Sequence, residues 1–387
     1  MSCWYILPNI SRKLDTNNVD IEFSNTPEIK IGITTVHYLT DVKKDIEQHL
    51  DAWDYYKKYT NTYEYIHTQI PGIKLSVSKH KPLSRSFFKF IEINSLFSLC
   101  DSPHPIKSFG ICEGPGGFIE AITMIRENPQ DVYYGMTLMN DDENTPGWKK
   151  AQRFLKQNTN VYIETGSTRD GNILKQENYM HCAKHHENKF DIITGDGGFD
   201  FSQDFNNQEN LCSKLIVAQA LYAITMQKHQ GTFVLKVFDI FYRSTLDILF
   251  ILSMFYNDVY IFKPQTSRLA NSEKYVICKG FKFSSTSRYV SLFANIIRKL
   301  TVNGNGYLVK LLKNPLPLFY TQRVDEITNV LCQFQMSIIL ITISLIKESK
   351  LIDNKQKINE LFKNNISKCT QWCINNEVGY NKIKLLR

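Results

Sequence analysis

Apolar positions along this chain follow two periods. Between Ile106 and Phe281, short β-branched or aromatic runs alternate with longer stretches in which apolar residues return every three or four positions. The short runs are Ile106–Ile111, Val132–Leu138, Val161–Ile163, Phe190–Thr194, Gly231–Phe238, Val259–Phe262 and Lys274–Lys279. The spacing predicts helices over Ser84–Leu99, Phe118–Glu127 and Leu211–Lys228. In the first of these, Phe87, Phe88, Phe90, Ile91, Leu96 and Phe97 make an apolar stripe that Ser84 or Ser86 can cap. In the last, Leu215, Ala218, Leu221, Tyr222 and Thr225 share a face. Strands alternating with helices predict an α/β fold, a mainly parallel and doubly wound sheet with helices on both faces.

The flanks follow weaker patterns. Residues 1–80 read as an N-terminal extension, 81–300 as the α/β domain, and 301–387 as a helical, basic C-terminal region broken near Pro315 and Pro317. Asn303–Gly306 marks a turn between the last two. Tyr55, Tyr56, Tyr59, Tyr63 and Tyr65 interleave with Lys57 and Lys58. Such a stretch serves either as half-buried packing on an amphipathic helix or as a surface on which bases stack. Met336–Ile346 is apolar but only about half the ~20 residues that span a bilayer, so it reads as a buried helix and no membrane partner is expected.

Charge changes this picture at one end. Residues 279–387 hold 17 Lys/Arg against 6 Asp/Glu, whereas the first 278 hold 29 against 32. A polyanion partner and a merely solvated lysine-rich surface both fit that asymmetry. Nine cysteines lie scattered with no Cys-x-x-Cys and no opening signal segment, which suits a reducing cytosolic or nuclear setting. The abundance of Asn, Ile, Lys and Tyr suits an AT-rich source such as a large cytoplasmic DNA virus.

Candidate chemistry gathers at strand ends. The run Phe190–Thr194 leads into Gly195-Asp196-Gly197-Gly198-Phe199-Asp200, which sets one carboxylate at the C-terminal tip of a buried strand. Ile106–Ile111 leads into Cys112-Glu113-Gly114-Pro115-Gly116-Gly117-Phe118 and then a helix. Strand, glycine turn and helix N-terminus form either a nucleotide cradle or a plain tight turn. The turn lacks the Gly-Lys-Ser/Thr of a P-loop and the G-x-G-x-x-G spacing, and its acid suits a ribose hydroxyl. Lys89 sits in the helical stripe, where it is either a snorkelling cation or a functional one. His181, Cys182, His185 and His186 crowd one segment, but no third acidic ligand is spaced to complete a metal site, and a polar connection is expected there.

Taken in order, Ser84–Lys89, Cys112–Phe118, Gly195–Asp200, Phe233–Phe238 and Ser267–Tyr275 resemble the FtsJ-like ribose 2′-O-methyltransferases, most closely the mRNA-cap branch. Asn206–Glu209 and, faintly, Cys369–Cys373 look like that branch too. The resemblance implies a Rossmann-like methyltransferase fold and a Lys-Asp-Lys-Glu tetrad on Lys89, Asp196, Lys236 and Glu273. It implies S-adenosylmethionine, with no metal, held by Glu113, Gly114, Pro115, Gly116, Gly117 and Phe118, by Asn172 and Ile173, and at the edge of Asp196. Where many family members carry an acid for the adenine amino group, this chain has Asn172, a neutral acceptor.

RNA contacts are expected at Arg85, Arg268, Asn271 and Ser272 and along the basic C-terminal quarter. The implied substrate is the capped 5′ end of mRNA, with other capping or transcription proteins as partners. Ribosomal or transfer RNA, or a catalytically silent RNA-binding capping subunit, are the alternatives. A ribose hydroxyl needs a base, and a lysine serves only if its pKa falls towards neutrality. The expectation is that Lys89, as a like-charged neighbour, depresses Lys236. Asp196 would orient the amine, and Glu273 would hold Lys89.

Overall fold

The computed structural model describes residues 4–139, 145–198, 207–302, 306–348 and 354–383. Phe199, Asp200, Asn206 and Asn303–Asn305 lie outside the described residues. The chain opens with β1 (Trp4–Ile6), β2 (Val19–Ser24), α1 (Ile33–Glu47), α2 (Leu50–Thr60) and α3 (Ser86–Phe97). The central run is β3 (Lys107–Ile111), α4 (Gly117–Arg126), β4 (Val132–Met136), α5 (Gln152–Gln157), β5 (Val161–Glu164), α6 (Gln176–His186), β6 (Phe190–Gly195), α7 (Gln208–Met226) and β7 (Gln227–Val237). It closes with α8 (Arg243–Phe255), β8 (Tyr256–Phe262), β9 (Lys274–Phe281), α9 (Ser287–Val302), β10 (Tyr307–Leu312), α10 (Leu318–Glu348) and α11 (Asn354–Asn375).

Eight strands form one sheet in the order β1-β8-β9-β7-β6-β3-β4-β5. Strands β3 to β7 pair in parallel, β9 runs antiparallel between β7 and β8, and β1 adds an antiparallel edge on β8. Most central strands are buried on both faces, which is why they read as unbroken apolar runs. One core packs α6 to α9 and the start of α10 on one face of the sheet. A second core packs α3, α4 and α11 on the other. The chain runs outward from β3 through β4 to β5, then crosses back to β6 and β7. The switch lies between β3 and β6, and a crevice opens beyond their C-terminal ends, where open α/β sheets bind ligands. Asp196 N donates to the Ile111 carbonyl across that gap at 3.3 Å.

The two ends of the chain pack on each other. Strand β10 pairs with β2, so the region after residue 306 begins as a strand where a helix was expected. A pairing between segments so distant leaves no local periodicity to read. Helix α10 packs on α1 and α2, and α11 packs on the short turn Glu64–Ile66. Trp372 of α11 meets Phe88 of α3 with ring centroids 5.9 Å apart. Helix α10 is long and apolar enough to cross a membrane by length and composition, more than the expected apolar stretch suggested. Its Cys332, Ile339 and Ile343 pack with Leu39 and Phe241 in a third core.

Candidate active site

Four side chains from four elements meet at the crevice. Helix α3 supplies Lys89, the residue after β6 is Asp196, β7 supplies Lys236 near its end, and Glu273 directly precedes β9. Lys89 Nζ lies 2.7 Å from Glu273 Oε1. Lys236 Nζ lies 3.3 Å from Asp196 Oδ1 and donates to the Asp196 carbonyl at 2.6 Å. Tyr275 bridges the two pairs, its hydroxyl donating to Asp196 Oδ1 at 2.9 Å and approaching Glu273 Oε1 at 3.5 Å. Ser267 Oγ donates to the same Glu273 oxygen at 3.0 Å. Lys89 is 9% exposed, so its ammonium does not snorkel to water but points inward to a carboxylate.

The charges balance within this group. Burial opposes the Glu273 carboxylate, but Lys89, Lys236 and Lys263 outweigh it and hold Glu273 well below the ordinary range. Burial likewise opposes the Lys236 ammonium, but Asp196 and Glu273 outweigh it and raise its pKa. The expected depression of Lys236 by Lys89 is therefore corrected. Lys89 is neutralised by Glu273, and two carboxylates face Lys236 instead.

The turn after β3 departs from its expected role in one respect. Glu113 is buried, and its Oε1 accepts from Phe118 N at 2.8 Å and Ile119 N at 3.0 Å. It caps α4 from within the loop, which commits Oε1 to the protein's own backbone. Burial pushes its carboxyl up to about 8. Gly116 has φ +107°, a conformation suited to glycine, and is buried, where a Cβ would fall 3.3 Å from both Leu83 and Trp148, while Pro115 beside it is half-buried. A Cβ on Gly114 would fall 2.2 Å from the Pro146 carbonyl, and one on Gly117 2.2 Å from Ser84 Oγ. Those two glycines serve backbone packing. Ser84 and Ser86 lie against Gly117 and do not cap α3, whose N-cap position is Arg85 with no side-chain bond. Phe118 is fully buried in the core beneath.

Asn172 closes its own turn. Its Oδ1 accepts from Leu174 N at 3.0 Å, committing one of its two lone pairs, while Asp170 Oδ1 accepts from Asn172 N at 3.1 Å. Ile173 is buried.

The expected RNA residues divide. Arg268 forks onto buried Glu64, Nε to Oε2 at 3.2 Å and Nη2 to Oε1 at 3.1 Å. Burial opposes Glu64, but its bond with Arg268 and the charge of Arg85 bring it down to about 2. Arg85 Nε is buried without a hydrogen-bond partner, and burial followed by the neighbouring Arg268 lowers its pKa. Ser272 is buried and donates to Gln208 Oε1 at 2.7 Å, and Asn271 Oδ1 accepts from Lys263 Nζ at 2.6 Å. Ser272, expected at the RNA, is thus turned into the protein, while the half-buried Asn271 commits its oxygen to Lys263. The histidine segment lies on α6, where Glu164 accepts from His186 Nε2 at 2.8 Å. Among the described residues no group of three or more His, Cys, Asp or Glu is placed to hold a metal ion.

Residues 82–281 match the FtsJ-like methyltransferase family over half of the chain. The chain belongs to the FtsJ-like methyltransferases. It is 27% identical over 281 residues to cap-specific mRNA (nucleoside-2′-O-)-methyltransferase 2 of Danio rerio, covering 68% of this chain and 36% of that protein. It is 34% identical over 181 residues to cap-specific mRNA (nucleoside-2′-O-)-methyltransferase 1 of Mus musculus, covering 44% of this chain and 21% of that protein. A relative named inactive, from Caenorhabditis briggsae, is 28% identical over 197 residues, 49% of this chain and 23% of that protein. The chain thus spans between about a fifth and a third of the length of these relatives.

In this methyltransferase several site residues escaped the sequence reading. Tyr275 stood inside a quoted motif without a role, and its only local signal was a tyrosine at a strand start. Glu64 lies far in sequence from the Arg268 it holds, and Lys263 reaches residues eight and ten positions on through a loop with no period to read. Gln219, in the middle of α7, accepts from Gly197 N at 3.0 Å and shapes the turn behind Asp196. Burial pushes Lys263 down to about 7 against the pull of Glu273.

Proposed function

We propose that this chain methylates a ribose 2′-hydroxyl of RNA, at or near the capped 5′ end of mRNA, using S-adenosylmethionine. The observation that carries the reading is the pair of lysine–carboxylate contacts joined through Tyr275 at the switch point of the sheet. The crevice suits an adenosyl group in three respects. Gly114 and Pro115 keep part of their surface free in the turn before α4, Asn172 Oδ1 keeps a spare lone pair, and Leu138 and Met139 stand exposed after β4. We assign the cofactor to Pro115 and Asn172 on that basis, with Glu113, Gly114, Gly116 and Gly117 as supports. When bound, the cofactor supplies an electrophilic methyl group and a positive sulfonium.

The chain's own residues then do the following. Lys236 takes the hydroxyl proton on Nζ. Asp196 and Tyr275 fix the direction of that amine. Glu273 holds Lys89 and limits the net charge of the pocket. A lysine next to added positive charge surrenders its proton more readily. Lys236 gives its ammonium proton to solvent before the neutral amine accepts the hydroxyl proton, so transfer rises with pH. We assign Arg85 and Arg268, the two guanidinium groups beside Glu64, to RNA phosphates. Composition and the cap-branch resemblance lead us to assign a cytoplasmic setting, of viral origin, and capping or transcription proteins as partners.

Methyl transfer from labelled cofactor to matched capped and uncapped short RNAs tests the proposal. Transfer to the first nucleotides of capped RNA is expected. Equal transfer to uncapped RNA would remove the cap from the reading, and no transfer to either would leave an RNA-binding subunit.

A further inference from the structure

Two charges outside the tetrad, the buried Glu92 and the half-buried Lys263, hold the segment between β8 and β9. Lys263 follows β8 directly, and its ammonium donates to the Asn271 carbonyl at 2.8 Å, Asn271 Oδ1 at 2.6 Å and the Glu273 carbonyl at 2.6 Å. An ammonium has three protons, so each acceptor here is matched by one. Glu92 on α3 takes the other end of the segment. Its carboxylate accepts from Gln265 N at 2.7 Å, Thr266 N at 3.0 Å and Thr266 Oγ1 at 3.0 Å. Glu92 lies three residues after Lys89, so both project from one face of α3. That face therefore grips the segment twice, by Glu92 at its start and by Lys89 on Glu273 at its end.

We propose that Lys263 and Glu92 form a brace that fixes residues 264–273, and that Lys263 is a positioning residue setting Glu273 against Lys89. This rests on the methyl-transfer reading above. A buried charge is a poor way to stabilise a loop, because well-packed apolar residues often serve as well or better. What a fully bonded ammonium adds is direction. Lys263 aims the Asn271 and Glu273 carbonyls at one point, and so aims the Glu273 side chain away from it toward Lys89, Ser267 and Tyr275. The same segment carries Arg268, held from outside by Glu64. The groups charged around Lys263 are Glu273 and Asp239 on one side of the balance, Lys274 and Lys89 on the other.

The test uses the full chain with Lys263→Met, Lys263→Arg and Glu92→Gln. Cofactor affinity is read by calorimetry, and kcat and KM with capped RNA by labelled methyl transfer. Lys263→Met should leave cofactor affinity unchanged and lower kcat by about 10²-fold, the size expected of a misplacement of about 1 Å. RNA KM should change far less than kcat. Lys263→Arg, which keeps the charge and several donors, should recover part of kcat. Wild-type turnover in Lys263→Met would overturn the proposal. So would a loss that tracks lost cofactor binding and is not relieved by Lys263→Arg, since that is a structural role. If Lys263→Met does not fold, Glu92→Gln decides: a fall in kcat at unchanged cofactor affinity supports the brace, and unchanged kcat overturns it. A wild-type protein that methylates no RNA would show instead that the underlying reading had failed, and the brace with it.

Discussion

The site is a set of charges that satisfy one another, and single residues act through that balance. Arg268 shows it best. It was expected at the RNA, yet its guanidinium is tied to Glu64, whose side chain is 1% exposed while that of Arg268 is 35% exposed. Arg268→Ala leaves a buried carboxylate unpaired. The cost should be about 2 kcal/mol, below the roughly 3–5 of a fully buried pair because Arg268 is partly solvated. Adding Glu64→Gln should restore most of that stability without restoring RNA affinity. Thermal melts and RNA titrations on the four-member cycle check this. If the double variant also regains RNA binding, Arg268 is a scaffold residue and does not touch RNA. Residue identities in the tetrad were legible because each occupies a strand end or helix in recognisable order. The charge state of Lys236 was not, because it depends on which carboxylates face it in space.

At the scale of elements, alternating strands and helices were legible because parallel strands buried on both faces read as apolar runs. The pairing of β2 with β10 was not, nor the three-residue edge strand β1, since both draw their stability from distant partners. Glu209 shows a comparable link. From α7 its carboxylate accepts from Phe241 N at 2.8 Å and Tyr242 N at 3.0 Å, fixing the loop into α8. Burial pushes its carboxyl up to about 8, from an ordinary value of about 4.3. The folded state thus binds the proton more tightly than the unfolded chain. That contribution is full below about pH 4.3 and is lost as pH rises through about 8. Wild-type stability should therefore fall between pH 5 and pH 8 more steeply than that of Glu209→Gln. Parallel pH-dependent melts would contradict this if the two slopes coincide.

For the whole molecule, the basic C-terminal quarter is not a detachable tail. It supplies β10 to the second sheet, α10 to the surface of α1 and α2, and Trp372 to the core beside Phe88. Removing residues 307–387 should unfold the protein, which circular dichroism would show directly. RNA binding by this region is better tested by charge. Lys363 and Lys368 are exposed on α11, which packs against the Glu64–Ile66 turn beside Arg268. If they meet phosphates, replacing both with Gln should reduce the slope of log affinity against log salt by about 0.7 for each phosphate they neutralise. An unchanged slope would make them solvated surface. Sequence showed the charge asymmetry but not where the fold carries it.

The central claim is that Lys236 is the base. A free lysine titrates near 10.4, and Asp196 and Glu273 outweigh burial and raise Lys236. The decisive measurement is single-turnover methylation of capped RNA by Lys236→Arg, at saturating RNA and cofactor and after both are shown to bind. Arginine keeps the positive charge beside Asp196 but does not give up a proton at working pH. The account predicts that wild-type rates rise with pH and that Lys236→Arg binds both ligands yet transfers no methyl group. Near-normal transfer by Lys236→Arg would contradict it.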